Sequence, residues 1–175
     1  MIESSYPFSF IMNDKDAVGA GFLNLRLYKF KSTKSKLTYM VRVEVYEHHI
    51  YAVKFYLKKM QNSPKKYQYA TNTYEPRRIV NTCINIMLSI YKEDTMSSFG
   101  FLGAHGTKEK STYCTKRYRL YSKLMATYFS DDKFLHKENK EKSAYLLVNK
   151  LTLEKEPTLI EDIEKFFVTM YDYFD

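Results

Sequence analysis

The chain reads as an α+β domain, a predominantly antiparallel sheet of about six strands packed against about three helices in the order ββββαβαβα. Three observations carry that reading. The first third alternates apolar and polar residues with the period of strands, the later segments repeat apolar residues at helical spacing, and the early strands follow one another without intervening helices. A run of hairpins followed by alternating elements points away from a doubly wound parallel sheet.

Phe8, Phe10 and Met12 alternate in a short first strand. In FLNLRLYKF, Leu23, Leu25 and Leu27 share one face while Arg26, Tyr28 and Phe30 take the other. KSTKSK is a polar turn, and LTYMVRVEVY and HHIYAVKFYL form a hairpin about Glu47 and His48. Asn72 is a candidate helix cap, with Glu75 returning the reciprocal hydrogen bond and Pro76 tolerated in the first turn. Ile79, Val80, Cys83, Ile84, Met87, Leu88 and Tyr91 then trace an amphipathic helix.

SSFGFLGA is a short strand, followed by polar HGTKEKSTY. Thr115 caps the next helix, whose buried stripe is Tyr118, Tyr121, Leu124, Met125, Tyr128 and Phe129. DDKFLHKENKEK reads as a charged turn, and SAYLLVNK as a sixth strand. Thr158 and Glu161 have capping-box spacing before a final helix carrying Leu159, Ile160, Ile163, Phe166, Phe167, Met170 and Tyr171. Residues 1–175 show no internal repeat and no linker, so they are read as one domain.

At 20.9 kDa the chain is long enough for a hydrophobic core without metal or disulfide staples. Cys83 and Cys114 form no ligand or disulfide pattern and are expected as free thiols in a reducing compartment. MIESSYPFSF has neither the basic stretch nor the long apolar run of a secretory signal, and no segment is apolar enough to span a bilayer. A cytoplasmic, non-membrane protein is the expectation.

Charge and aromatic content bear on function. The net charge is +8, with 26 Lys and Arg against 13 Asp and Glu in residues 1–150, and 2 against 7 thereafter. Seventeen tyrosines and twelve phenylalanines accompany this charge without any tryptophan. Such a mixture fits a basic surface with ring platforms that takes a polyanion, single-stranded nucleic acid in particular.

The leading anion-binding candidates are Lys108, Lys110, Lys116, Arg117, Arg119 and Lys123, which surround a helix start opposed by Glu109 alone. Arg117 and Arg119 offer guanidinium forks to phosphate. A second patch joins Tyr67, Tyr69, Arg77 and Arg78 to Lys54, Lys58, Lys59, Lys65 and Lys66, with the tyrosines as stacking rings. Against both stands the plainer reading of a solvated surface, with most tyrosines serving the core.

No catalytic residue is assigned. His48 and His49 adjoin Glu44 and Glu47, but neighbouring strand residues face opposite ways, and no metal site is expected. His105, in a loop at a strand end, is the better candidate acid or base but has no identified carboxylate partner. A helix start and Lys116 could favour the Cys114 thiolate, against the plainer reading of an unreactive thiol, and Ser97 and Ser98 lack the setting of a nucleophile.

From residue 37 onward the layout resembles the acyl-CoA-dependent N-acetyltransferase family. RYRLYSKLMATYF and the later SAYLLVNK resemble its late helix and strand, and the likeness covers about two thirds of the chain. It implies a coenzyme A or acetyl-CoA pocket and acyl transfer, with Tyr118 or Tyr121 as the late-helix tyrosine. TNTYEPRRIVNT stands where that family has a glycine-rich pyrophosphate loop. A protein-interaction or regulatory module, with a tyrosine-rich surface and the acidic C-terminal helix controlling access, is the third function class.

Overall fold

A computed structural model describes residues 4–14, 21–68, 74–102, 111 and 113–171. The expected α+β class holds, with seven strands and four α-helices among these residues. The elements are β1 (Phe8–Asp14), β2 (Asn24–Lys31), β3 (Thr38–Tyr46), β4 (Ile50–Leu57), α1 (Pro76–Glu93), β5 (Ser98–Leu102), α2 (Lys116–Tyr128), β6 (Phe134–Asn139), β7 (Ala144–Asn149), α3 (Lys150–Lys155) and α4 (Leu159–Tyr171). A 3-10 turn over Lys58–Met60 follows β4.

The seven strands form one sheet in the order β1-β2-β3-β4-β5-β7-β6. All neighbours are antiparallel except β4 and β5, which run parallel. That exception follows from the chain: α1 lies between the two strands and carries it back across one face, as a parallel connection requires.

Two counts differ from the sequence reading, for physical reasons. FLHKEN is strand β6 rather than part of a turn, because Phe134 is buried beside α2 and the segment zips along β7. Its charged residues suit an edge, where side chains meet water. A short helix, α3, also precedes α4; the Asn149 side chain caps it by accepting from the Leu151 amide at 3.0 Å.

Helix α1 begins at Pro76, so Glu75 occupies the cap position rather than the third turn residue of a box opened by Asn72, which lies outside the described residues. Thr115 caps α2 as expected, accepting from the Tyr118 amide at 3.2 Å. The Thr158 hydroxyl pairs with Asp162 rather than Glu161.

The core has two layers because alternate strand residues face opposite sides. On one face Tyr28, Phe30, Val41, Val43, Tyr51, Val53, Phe99 and Leu147 pack against Ile79, Ile84 and Met87 of α1 and Tyr121, Leu124 and Met125 of α2. On the other, Phe22, Leu25, Tyr46, Ile50, Leu146 and Val148 meet Leu159 and Ile163 of α4. Most aromatic residues are consumed here. Phe30 stacks between Tyr6 and Tyr39, with centroids at 5.9 and 5.0 Å, and Tyr6, Tyr39, Tyr118 and Tyr145 are all nearly sealed from solvent. Their richness is therefore chiefly a packing device. Among the described residues, no helix is long and apolar enough to cross a membrane.

Candidate functional site

Strand direction divides the molecule into two ends. The carboxyl ends of β4 and β5 point one way, where the starts of α1 and α2, the β2–β3 turn and the β6–β7 turn also gather. Cross-contacts tie these pieces together. Lys34 Nζ reaches the Tyr74 carbonyl at 3.5 Å, Arg117 donates to the Tyr67 carbonyl, and the Cys114 amide donates to the Lys140 carbonyl at 2.7 Å.

This end is basic. An open cleft of about 460 Å³ lies between the β2–β3 turn and the 3-10 turn, lined by Lys36, Leu37, Thr38, Leu57, Lys58, Lys59, Gln61 and Asn62. Three ammonium groups and two amide side chains face it, and the described residues of the lining include no carboxylate. A concavity of that chemistry suits an anion rather than a cation. Exposed Arg77 lies in the first turn of α1, at the same end of the molecule.

The opposite end is acidic and carries His48 and His49. His48 pairs with Glu156, while His49 Nδ1 lies 2.8 Å from Asp94 Oδ2. The two imidazoles thus serve separate carboxylates. No group of three His, Cys, Asp or Glu side chains among the described residues is placed to hold a metal ion.

Between the ends lies a seam. β4 and β5 pair through only three rungs, Ile50–Ser98, Tyr51–Phe99 and Ala52–Gly100. Beyond them the strands run on to Leu57 and Leu102 without further pairing. The space is filled by Val53, Lys54, Phe55, Tyr67, Leu102, Arg117 and Tyr121 around a cavity of about 20 Å³, room for about one water. Arg117 closes it by crossing from α2 to the Tyr67 carbonyl.

Burial pushes the Tyr121 phenol well above its usual range, so it is neutral at the seam wall. Burial pushes the Lys54 ammonium down, opposed by Glu44, whose Oε2 lies 2.8 Å from Lys54 Nζ.

The sequence candidates separate accordingly. Lys116, Arg119 and Lys123 share one exposed side of α2. Arg117 lies roughly 200° around the helix from Arg119, so the two guanidinium groups do not form one clamp. In the second patch, Tyr67 packs edge-on against Tyr56 with Lys66 over both rings at 5.4 and 4.9 Å. Burial raises its phenol strongly. Tyr67 is a wall residue rather than an open stacking platform. Arg78 lies 4.3 Å over the Tyr6 ring, leaving Arg77 the more available of the pair. Lys54 turns inward to Glu44, whereas Lys58, Lys59 and Lys65 are exposed. Lys108, Lys110, Tyr69 and His105 lie outside the described residues.

Of the weaker candidates, Tyr118 and Ser98 have hydrogen-bond partners, whereas the buried Ser97 hydroxyl has none among the described residues. Of the late-helix tyrosines, Tyr121 lines the seam, while Tyr118 donates to Glu138 at 2.6 Å. Ser98 Oγ accepts from the Asn149 amide, and Ser97 is fully buried. Cys83 and Cys114 are free thiols, with Cys83 raised by complete burial.

Sequence reasoning passed over Lys34 and Lys36, taken only as a turn, and Tyr74 and Tyr113, which are 90% and 61% exposed at the basic end. Their signal was position just before a helix start. It becomes informative only once both starts are known to share one end.

No family model, no curated protein and no solved structure matches this chain.

Proposed function

We propose that this chain binds a coenzyme A thioester along the β4–β5 seam, with the phosphates on the basic end, and works as an acyl-CoA-dependent acyltransferase. The observation that carries this reading is the parallel pair that parts after three rungs beside a basic cleft. The strand order, with α1 and α2 against one face, also agrees with the N-acetyltransferase-like layout read from residue 37 onward.

The residues fit such a ligand in two respects. The facing edges of β4 and β5 beyond Ala52 and Gly100 offer main-chain amides and carbonyls to an amide-bearing arm, as an unpaired strand edge does. Lys36, Lys58 and Lys59 then meet phosphates where the strands end.

They differ in a third. The start of α1 carries Tyr74, Glu75 and Pro76 instead of glycines, and the buried Glu75 carboxylate already holds negative charge at that helix end. Side-chain cations, not bare amides, therefore carry the phosphate contacts, and affinity falls with salt.

Coenzyme A supplies the acyl group as an activated thioester. Tyr121 contacts the bound arm at the seam wall, and Arg117 releases the Tyr67 carbonyl to admit it. Titration calorimetry with acetyl-CoA, at low and high salt, tests this reading. Saturable binding that weakens on Lys58→Ala/Lys59→Ala and with salt is expected. No heat of binding to the folded protein overturns it.

Tyr74 and Tyr113 favour a second reading, since exposed rings among lysines and arginines suit stacking with unpaired bases. Labelled single-stranded DNA and RNA, titrated in parallel, separate the two. Nucleic-acid binding that is lost in Tyr74→Ala/Tyr113→Ala, without acetyl-CoA binding, would replace the enzyme reading.

A further inference from the structure

We infer that the outer edge of β1 joins a second copy of this chain, antiparallel across a twofold axis, so that the two sheets continue as one. The sheet has two edges, β1 and β6. Edge strands present a row of unpaired backbone groups, and proteins blunt them with charges or proline. β6 follows that rule. It carries His136, Lys137 and Glu138, and Lys137 is tied to Glu164 of α4 at 2.8 Å.

β1 does not. From Phe8 to Asn13 it has no charge and no proline. Phe10, Ile11 and Met12 are 52%, 40% and 46% exposed, three of the seven large apolar side chains left in solvent among the described residues. Phe10 meets the Tyr28 ring edge-on at 5.4 Å, but that one contact does not account for three consecutive exposed apolar residues on a strand. Its one irregularity is a register shift at Ile11, which the β1–β2 ladder skips between Phe10–Tyr28 and Met12–Leu27. A bulge is one of the devices that blunt an edge, but this one leaves the apolar row exposed and supplies no charge against association.

Charge selects the occupant. At the Phe8 end, the neighbouring strand contributes Lys29 and Lys31, whereas the strand's other end closes on Asp14, where the one β2 cation, Arg26, is paired with Glu93 at 2.8 Å. An antiparallel copy brings Asp14 of each chain alongside Lys29 and Lys31 of the other. On the larger scale, the basic end holding Lys36, Lys58 and Lys59 comes beside the end holding Glu93 and Asp94. The same patch meets itself about a twofold axis, as in most soluble homodimers. A parallel partner would set like charges side by side.

The test is the solution mass of the full chain, by sedimentation equilibrium from micromolar to hundreds of micromolar protein. The expected result is a species of twice 20.9 kDa, whose dissociation constant rises at least about tenfold in Ile11→Lys. Ile11 is exposed and outside the β1–β2 ladder, so the variant keeps its circular dichroism, and its melting temperature matches wild type at concentrations where both are monomeric. A second variant, Ile11→Cys on a Cys114→Ser background, is expected to form a covalent dimer under mild oxidant because position 11 lies at the centre of the strand. A monomer at the highest concentration overturns the inference. So does a dimer that withstands Ile11→Lys and fails to cross-link through position 11.

Discussion

The Tyr6 hydroxyl donates to Glu75 Oε2 at 2.5 Å, joining two residues 69 positions apart at the start of α1. Ser32 Oγ lies 2.8 Å from the same oxygen, and Ser35 Oγ donates to Oε1 at 2.7 Å. The Lys34 and Ser35 amides in turn donate to Ser32 Oγ. One buried carboxylate thereby fixes the β2–β3 turn, and with it Lys34 and Lys36, to the first turn of α1. The geometry of the basic cleft rests on this knot.

Tyr6→Phe removes one donor from that carboxylate and keeps the ring stacked on Phe30. It is expected to cost about 1–3 kcal/mol, since a buried charged acceptor loses a partner. Urea denaturation should show a lower midpoint with an unchanged slope. A Ser35→Ala variant should couple to it in a double-mutant cycle, because both hydroxyls serve Glu75. Additive losses would show that the carboxylate is not the shared element.

Asp94 gives the fold an acid-sensitive joint. Burial works to raise its pKa, but hydrogen bonds from His49, Tyr51 and the Met96 amide outweigh that and hold it below the ordinary 3.8. A carboxylate depressed in the folded state contributes stability above its unfolded value. That contribution disappears as pH falls through the folded value. Asp94→Asn should therefore cost roughly 1 kcal/mol at neutral pH, and the difference from wild type should shrink as the pH drops below about 4. Denaturation midpoints across an acid series check it. A difference that stayed constant down to acid pH would place the effect in helix capping rather than in charge.

The elements that hydrophobic periodicity dominates were legible in advance. Tyr28 and Phe30 do face α1 while Leu25 faces α4, as alternation in FLNLRLYKF required, and the α1 stripe Ile79, Ile84 and Met87 is buried as spaced. β6 was not legible, because an edge strand bearing Lys137 and Glu138 has the composition of a turn. The site was legible only as composition. Lys58 and Lys59 were named from their sequence, but Lys36 joins them through the β3–β4 register, which no local pattern encodes. Arg117 and Tyr67 lie 50 residues apart and were assigned to different patches, yet they close the same seam.

Glu44 and Lys54 form the ionic centre of the sheet's second face, and their two truncations should differ sharply. Glu44 is 4% exposed, and its Oε2 accepts from Lys54 Nζ and from the Tyr46 hydroxyl, each at 2.8 Å. Arg42 Nε lies 3.0 Å from Oε1, within ion-pairing distance but not aligned as a hydrogen bond. Arg42 is also the cross-strand partner of Lys54.

Removing the acid leaves two cations facing each other in a desolvated site. Glu44→Met is accordingly expected to cost about 3–5 kcal/mol. Lys54→Met leaves Glu44 with Arg42 and Tyr46, and removes an ammonium that burial already disfavours, so its cost should stay below about 1 kcal/mol. The pH dependence fixes the sign. With the Lys54 pKa lowered in the folded state, the unfolded chain binds more protons. Wild type should gain stability relative to Lys54→Met as the pH rises through the folded value. Chemical denaturation from neutral to alkaline pH reads this directly, and equal losses for the two variants would mean that the cluster depends on the Glu44–Lys54 pair as a unit rather than on the acid alone.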